Sequence, residues 1–142
     1  MKLALAAILA LGFAGAAQAQ PRFVPAAPGS PFSSAVQVGD VLYLAGQIGN
    51  GPDGKLPAGM PAQAKQAMDN IAGVLKGQGL SMNDVFKCSV FLADMSQWSD
   101  FNKIYVPYFD AKRLPARSAL GANGLAAGAL LEVECWAYAG KR

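Results

Sequence analysis

Three charged side chains in this sequence have the chemistry to hold and transform a small acid. Glu132 and Glu134 are the only glutamates of the chain, and they stand two residues apart in a strand-like run. A carboxylate of this kind can orient and deprotonate a water molecule. Arg117 stands in another strand-like run, and its planar fork of N–H donors suits a bound carboxylate. Together these residues predict a site that binds an anion beside a general base.

The same residues also fit purely structural roles, and the sequence leaves both interpretations open. In the structural interpretation, Glu132 and Glu134 pair with Lys87 on a neighbouring strand or face the solvent. Arg117 then forms a salt bridge with an acid such as Glu132, because burying an unpaired guanidinium is costly.

Composition excludes several other kinds of site. The chain has no histidine, which excludes Ser-His-Asp and Cys-His catalysis and histidine metal sites. Its two cysteines, Cys88 and Cys135, cannot form a four-thiolate zinc site. They fall on a predicted buried face, where the restrictive geometry of a cross-strand bridge favours two free thiols over a disulfide. The net charge is +3 without a cluster of basic residues, so no nucleic-acid partner is expected.

Residues 1–19 have the pattern of a cleavable signal peptide. Lys2 precedes a short apolar run, and the chain has an A-x-A cleavage site at 17–19. The run is too short to span a bilayer. We therefore expect a periplasmic or secreted protein with no membrane association after cleavage. Residues 20–31 contain four prolines and predict an extended arm before a domain at 32–142.

The length supports one domain, and the hydrophobic pattern predicts the order β-β-α-β-α-β-β. The strands are expected at 34–38, 41–48, 84–93, 115–120 and 131–138. Pro61 is expected to open the first helix, and Ser96 is expected to cap the second. This order favours an α+β fold in which both helices pack on one face of a single mixed sheet.

Alternation along the strands predicts two unlike sheet faces. The apolar face includes Ile48 and Phe86 and is expected to pack against the helices. The other face carries Tyr43, Phe91 and Trp136 among charged residues. A solvent-exposed face rarely holds so many large apolar side chains. We therefore expect a homo-oligomer with its sites at the subunit interfaces.

Short motifs recur in a fixed order along residues 31–135. They include Pro31-Phe32-Ser33, Ala45-Gly46-Gln47-Ile48, Asp69-Asn70-Ile71, Asn102-x-x-Tyr105-x-x-Tyr108-Phe109, Pro115-Ala116-Arg117-Ser118 and Glu132-Val133-Glu134-Cys135. This ordered set resembles the RidA family, also called YjgF/YER057c/UK114. The resemblance implies a chorismate-mutase-like sandwich, usually a homotrimer with clefts between subunits. It also implies cofactor-free hydrolysis of reactive enamines and imines, such as 2-aminoacrylate and its imine, to 2-keto acids and ammonia.

The resemblance also implies a role for individual residues. Arg117 matches the arginine that grips the substrate carboxylate, and Glu132 matches the acid that positions the attacking water. Gly46 matches a residue whose backbone N–H faces the ligand, and Asn102 matches a further position near the cleft. The implied ligand is a small 2-imino or 2-keto acid, and no metal is implied.

Three positions depart from the family pattern. Phe32 replaces a tyrosine, Ala45 replaces a serine, and Ala119 replaces a cysteine near the substrate. The lost polar groups favour an alternative hypothesis, in which the protein is a non-catalytic exported module that binds a small carboxylate. The ribonuclease or translation-inhibitor activity reported for some family members is a third hypothesis. The predicted signal peptide and the missing basic patch argue against it.

Overall fold

The computed structural model describes residues 20–140, so the predicted signal peptide at 1–19 lies outside the described residues. The strands are β1 (Arg22–Pro25), β2 (Ser33–Val38), β3 (Val41–Leu44), β4 (Gln47–Ile48), β5 (Val85–Leu92), β6 (Ala116–Gly121) and β7 (Leu131–Tyr138). The helices are α1 (Met60–Gly77) and α2 (Trp98–Tyr105). The predicted α+β class with two helices is therefore confirmed.

All strands belong to one mixed sheet. The strand order is β1-β2-β3-β7-β5-β6, and the short β4 pairs with the other end of β7. The β5–β6 pair is parallel, and the other pairs are antiparallel. This order makes β7 and β5 central and leaves β1 and β6 at the two edges.

The segment predicted as an extended arm contains the edge strand β1. It pairs antiparallel with β2, and the Arg22 guanidinium donates a 2.7 Å hydrogen bond to Gln37 Oε1. The prolines that suggested an arm flank this strand, with Pro25 at its last position. Proline is tolerated at a sheet edge because its missing N–H takes nothing from the ladder there.

Two β-bulges overturn part of the predicted alternation. Between β3 and β4 the register against β7 shifts by one residue, so Ile48 pairs with Glu132 and faces the side opposite to the helices. A second shift near the start of β5 leaves Phe86 exposed, with its ring 6.5 Å from the ring of Trp136. A bulge inserts one residue and reverses the facing of those beyond it. The assignment of Ile48 and Phe86 to the helix-packed face was therefore wrong.

Local signals explain where the helices begin and end. Pro61 lies in the first turn of α1, where its missing N–H removes no helical hydrogen bond. The second helix differs from its prediction, because the capping side chain is Asp94, which accepts a 2.8 Å hydrogen bond from Ser96 N. A 3-10 turn then leads into α2 at Trp98. No helix within residues 20–140 is long and apolar enough to cross a bilayer.

The core lies between the two helices and the sheet face that carries Cys88 and Cys135. These residues stand directly opposite each other on β5 and β7, fully buried, with Cα atoms 4.1 Å apart, and they form a disulfide. The expectation of two free thiols was therefore wrong. Adjacent antiparallel strands can bring opposed residues to about 4.5 Å, and only the register reveals that these two cysteines are opposed.

One buried polar side chain braces the loops around the sheet. Gln63 of α1 donates to the Pro57 carbonyl at 3.0 Å and accepts from Leu130 N at 2.9 Å. A Cβ on Gly49 would lie only 2.4 Å from the Gln63 carbonyl oxygen, so the chain passes the helix at minimum distance there. These contacts hold the residues that precede β7 and follow β4, next to Glu132.

The disulfide is expected to contribute a large part of the stability. A double variant, Cys88→Ala with Cys135→Ala, should lose about 2–5 kcal/mol of unfolding free energy, because the unfolded chain loses a long cross-link. Urea unfolding measures the loss, and dithiothreitol should destabilise only the unmodified protein. Free thiols at both positions in protein purified from an oxidising compartment would contradict the bridge.

Candidate active site

Glu132 lies on the sheet face opposite to the helices, directly over Gly46. A Cβ placed on Gly46 would come within 1.9 Å of Glu132 Oε1, so the carboxylate occupies the space that any other residue would fill. The bulge between β3 and β4 brings this glycine under the carboxylate. Glycine is needed here for close approach and not for an unusual backbone angle.

A cleft of about 360 Å³ opens beside Gly46. Its lining includes Phe32, Ile48 and Val74 as apolar surfaces and Ser34 as a polar one. Phe32 is 59% exposed, so most of its ring is accessible at the cleft. Of the sequence-predicted residues, Phe32 and Gly46 line this cleft, and Glu132 lies against Gly46. Ser34 and Val74 were not predicted, because nothing in their spacing sets them apart from core or turn residues.

Ala45 precedes this glycine and leaves the regular ladder. Its backbone N–H donates a 3.0 Å hydrogen bond to the Ser34 carbonyl. Its methyl group stands where the family pattern has a serine hydroxyl, so the cleft has one polar group fewer than that pattern implies.

A second cavity, of about 470 Å³, adjoins the cleft through the shared residues Gln47, Asn50 and Val74. It reaches Asp69, whose carboxylate accepts hydrogen bonds from Tyr108 and Lys65, both at 2.6 Å. Burial acts to raise the pKa of Asp69, but these two hydrogen bonds outweigh it and lower the pKa from its ordinary value. Burial and the Asp69 hydrogen bond raise the pKa of Tyr108. Asp69 is therefore an ionised carboxylate that links α1 to Tyr108 through a hydrogen bond, and it does not serve as a general base.

Arg117 lies on the edge strand β6 and faces α2. The centre of its guanidinium is 4.3 Å from the Trp98 ring centroid and 4.6 Å from that of Tyr105. Within residues 20–140 no carboxylate lies within ion-pair distance of it, and its Nη1 is buried without a hydrogen-bond acceptor. The interpretation of Arg117 as a salt-bridge partner of Glu132 is therefore wrong. Trp98 and Tyr105 both belong to α2, and their contact with Arg117 was not predicted from the sequence.

Two further predicted residues share the Arg117 side of the sheet. Ala119 follows Arg117 by two residues and so faces the same way, partly buried against the core. Asn102 lies on α2, one turn beyond Trp98, and its Oδ1 is buried without a partner. Burial, opposed in part by the charge of Arg117, raises the pKa of Tyr105 to about 12. Tyr105 therefore stays a neutral hydrogen-bond donor at physiological pH.

The expected pairing of Lys87 with the glutamates is also absent. Lys87 Nζ donates to Ser118 Oγ at 2.7 Å, and Glu134 accepts a 3.0 Å hydrogen bond from the Trp136 indole. Within residues 20–140, neither Lys87 nor the Trp136 indole pairs with Glu132. Within the described part of the chain, no group of three or more acids or cysteines is arranged to hold a metal ion.

A single chain does not bring Arg117 and Glu132 together. Arg117 pairs with Cys88 and so faces the helices, whereas Glu132 pairs with Phe91 on the opposite face. They are also two strands and three register positions apart, which places their Cα atoms roughly 14 Å from each other. The predicted residues thus form two half-sites: Glu132 with Gly46 and the cleft residue Phe32, and, on the helix side, Arg117 with Ala119 and Asn102.

The contact between Gly46 and Glu132 can be tested directly. Gly46→Ala should displace the Glu132 carboxylate at a cost of about 1 kcal/mol or less, because the obstructing atoms belong to a flexible side chain. A crystal structure and a melting curve of the variant measure both effects. Gly73→Ala is the matched control, since a Cβ there meets nothing within 4 Å. An undisplaced carboxylate in Gly46→Ala would contradict the close contact.

Comparisons with known proteins identify the fold and its relatives. The family model described as Endoribonuclease L-PSP matches residues 24–139. A mouse protein named 2-iminobutanoate/2-iminopropanoate deaminase is 43% identical over 118 residues, which cover 82% of this chain and 86% of that protein. The crystal structure of RidA from the Antarctic bacterium Psychrobacter sp. PAMC 21119 superposes with a TM-score of 0.74 at 37% identity, covering 81% of this chain and 93% of that one.

A solved structure from Escherichia coli is also similar to this chain. The crystal structure of its YjgF gene product has a TM-score of 0.72 and 31% identity, covering 81% of this chain and 92% of that one. The matched family model spans both helices and every strand except the first two residues of β1. The chain therefore belongs to the RidA/YjgF family.

Proposed function

We propose that this protein is a cofactor-free deaminase that hydrolyses reactive enamines and imines of the 2-aminoacrylate type to 2-keto acids and ammonia. The observation that carries the proposal is Arg117, a charged guanidinium held by aromatic rings with no resident carboxylate. Such a group suits the carboxylate of a 2-imino acid. Relatives that bear the name 2-iminobutanoate/2-iminopropanoate deaminase support the reaction class.

The active unit is an oligomer in this proposal, most simply a homotrimer. Arg117 and Glu132 face opposite sides of one sheet, so a complete site takes Arg117 from one subunit and Glu132 from its neighbour. The open face of the sheet also carries Tyr43 and Trp136, whose rings are 5.0 Å apart, and the exposed Phe86. Burying such a patch between subunits removes it from water.

The reaction needs few groups because the imine is already an electrophile. Arg117 binds the carboxylate through two charge-assisted hydrogen bonds and fixes the position of the imine carbon. Glu132 orients a water and accepts its proton as the water oxygen bonds to that carbon. Glu132 then delivers that proton to the imine nitrogen, which gives a carbinolamine. The hydroxyl proton of the carbinolamine passes to the amino nitrogen as the C=O bond forms and the C–N bond breaks, so ammonia leaves the 2-keto acid. Neither histidine nor a metal takes part in this scheme.

Substitutions of Arg117 and of Glu132 should affect substrate binding and turnover differently. Arg117→Ala should lower kcat/KM by roughly 30- to 1000-fold, because a bidentate charge-assisted contact is lost. Glu132→Gln should lower turnover by about 100-fold or more while hardly changing affinity for a 2-keto acid. The assay generates 2-iminopropanoate with an amino-acid oxidase and traps the remaining imine with semicarbazide.

Mixing these variants tests whether the site spans two subunits. Co-expressed Arg117→Ala and Glu132→Gln chains should regain about a quarter of the unmodified activity, because random assembly unites an intact Arg117 with an intact neighbouring Glu132 at that frequency. Light scattering confirms that the mixture has three times the monomer mass. Mixed assemblies with no regained activity would show that both residues act within one chain, and a monomer would contradict the interfacial site.

A non-catalytic carboxylate-binding module is the second candidate function. Phe32, Ala45 and Ala119 favour it, because each stands where the family pattern has a polar side chain. Binding of pyruvate without any acceleration of imine loss over buffer would establish it. RNA hydrolysis, which the description of the family model names, is not part of either proposal, because the basic residues do not form a cluster in the sequence.

We also propose that the protein is exported. Disulfides persist in oxidising compartments and are rare in the cytosol, so the Cys88–Cys135 bridge supports the interpretation of residues 1–19 as a signal peptide. Mass spectrometry of the protein from its native host should find a chain that begins at Gln20. A chain that still begins at Met1 would contradict export.

A further inference from the structure

The environment of Arg117 is aromatic where an ionic partner would be expected. Its guanidinium lies 4.3 Å from the Trp98 ring centroid, 4.6 Å from that of Tyr105 and 5.9 Å from that of Phe101. A cation over the face of an aromatic ring is attracted by the electron density of that face. These rings therefore hold the positive charge without neutralising it.

The acids on α2 and just before it are engaged elsewhere. Asp100 accepts a 2.7 Å hydrogen bond from Lys103, and Asp94 accepts two 2.8 Å hydrogen bonds from Ser96. Neither carboxylate pairs with Arg117. Burial raises the pKa of Tyr105 to about 12, so this phenol does not become an anionic partner at physiological pH either.

Stacking and ion pairing use different parts of a guanidinium. An aromatic ring covers the flat face, whereas a carboxylate binds the N–H groups at the edge. The buried Arg117 Nη1 and the buried Tyr105 hydroxyl both lack a hydrogen-bond partner. Leaving such donors unpaired in the interior is costly, and a ligand carboxylate would satisfy them.

We propose that Trp98 is the positioning residue of Arg117: its indole ring holds the flat face of the guanidinium and leaves the guanidinium edge free for a ligand carboxylate. The proposal rests on the proposed function only in taking Arg117 as the carboxylate-binding group. Trp98 has the shortest ring distance to Arg117, and it is half-buried at the first position of α2. Phe101 and Tyr105 are core residues.

The position of Trp98 is itself set by local structure. The Asp94 cap and the following 3-10 turn determine where α2 begins. The indole also stacks on Phe101 at a centroid distance of 6.0 Å and an interplanar angle of 24°. The orientation of the guanidinium is therefore linked through Trp98 to the start of the helix.

The test compares pyruvate binding by calorimetry in a set of variants. Trp98→Leu should weaken pyruvate binding and raise KM by roughly 3- to 30-fold, the range expected for a lost cation–π contact. Its kcat should change by less than about twofold, because Glu132 lies on another sheet face. Trp98→Phe keeps an aromatic face and should restore affinity to within about threefold of the unmodified protein.

A double-mutant cycle separates this role from general stability. Because Trp98 acts through Arg117, Trp98→Leu should cause no further loss of pyruvate affinity in the Arg117→Ala background. A merely structural role predicts equal losses in both backgrounds and equal effects of Leu and Phe. Either of those results overturns the proposal.

A ligand-free measurement covers the case in which Trp98→Leu does not fold. In the unmodified protein, the Arg117 Nε–H proton should resonate upfield of the other arginines through the ring current of Trp98. The signal is assigned by its loss in Arg117→Lys. An unshifted signal overturns the proposal. Pyruvate binding without imine hydrolysis, by contrast, refutes the proposed catalytic function and leaves the role of Trp98 intact.

Discussion

Side-chain alternation along β7 governs the rest of this molecule. Cys135 points toward the helices and is bridged to Cys88 in the core, whereas Glu132, three residues earlier, points to the other face. The strand cannot serve the core and the cleft with the same side chains, because successive residues face opposite sides of a sheet. The helices therefore pack on one side of the sheet, and Glu132 lies on the other.

Side-chain alternation explains why Arg117 and Glu132 are not neighbours within one chain. Arg117 belongs to the helix side at one edge of the sheet, and Glu132 belongs to the open side near its centre. Each half-site is built without its counterpart, so neither charge neutralises the other. In the proposed oligomer, a substrate between two subunits meets the cation of one and the anion of the other at the same time.

The two half-sites keep their charges available by different means. Glu132 lies over a glycine, where the missing Cβ leaves room for the carboxylate, and within residues 20–140 it forms no salt bridge. Arg117 lies between aromatic rings, which attract a cation through their faces and leave its hydrogen-bonding edge unused. Glu132 therefore lies beside a glycine and Arg117 beside aromatic rings, and neither contact neutralises the charge.

The sequence alone was enough to determine the family, the order of the helices and main strands, and the bounds of β7. These features depend on local patterns, such as the alternation in Leu131–Tyr138 and the proline that opens α1. Only the tertiary structure decided the pairing of Cys88 with Cys135 and the facing of Ile48 and Phe86. It also decided the aromatic contacts of Arg117. The physical reason is that strand register, single-residue bulges and helix placement arise from contacts between distant segments, and no local pattern records which residue will stand opposite another.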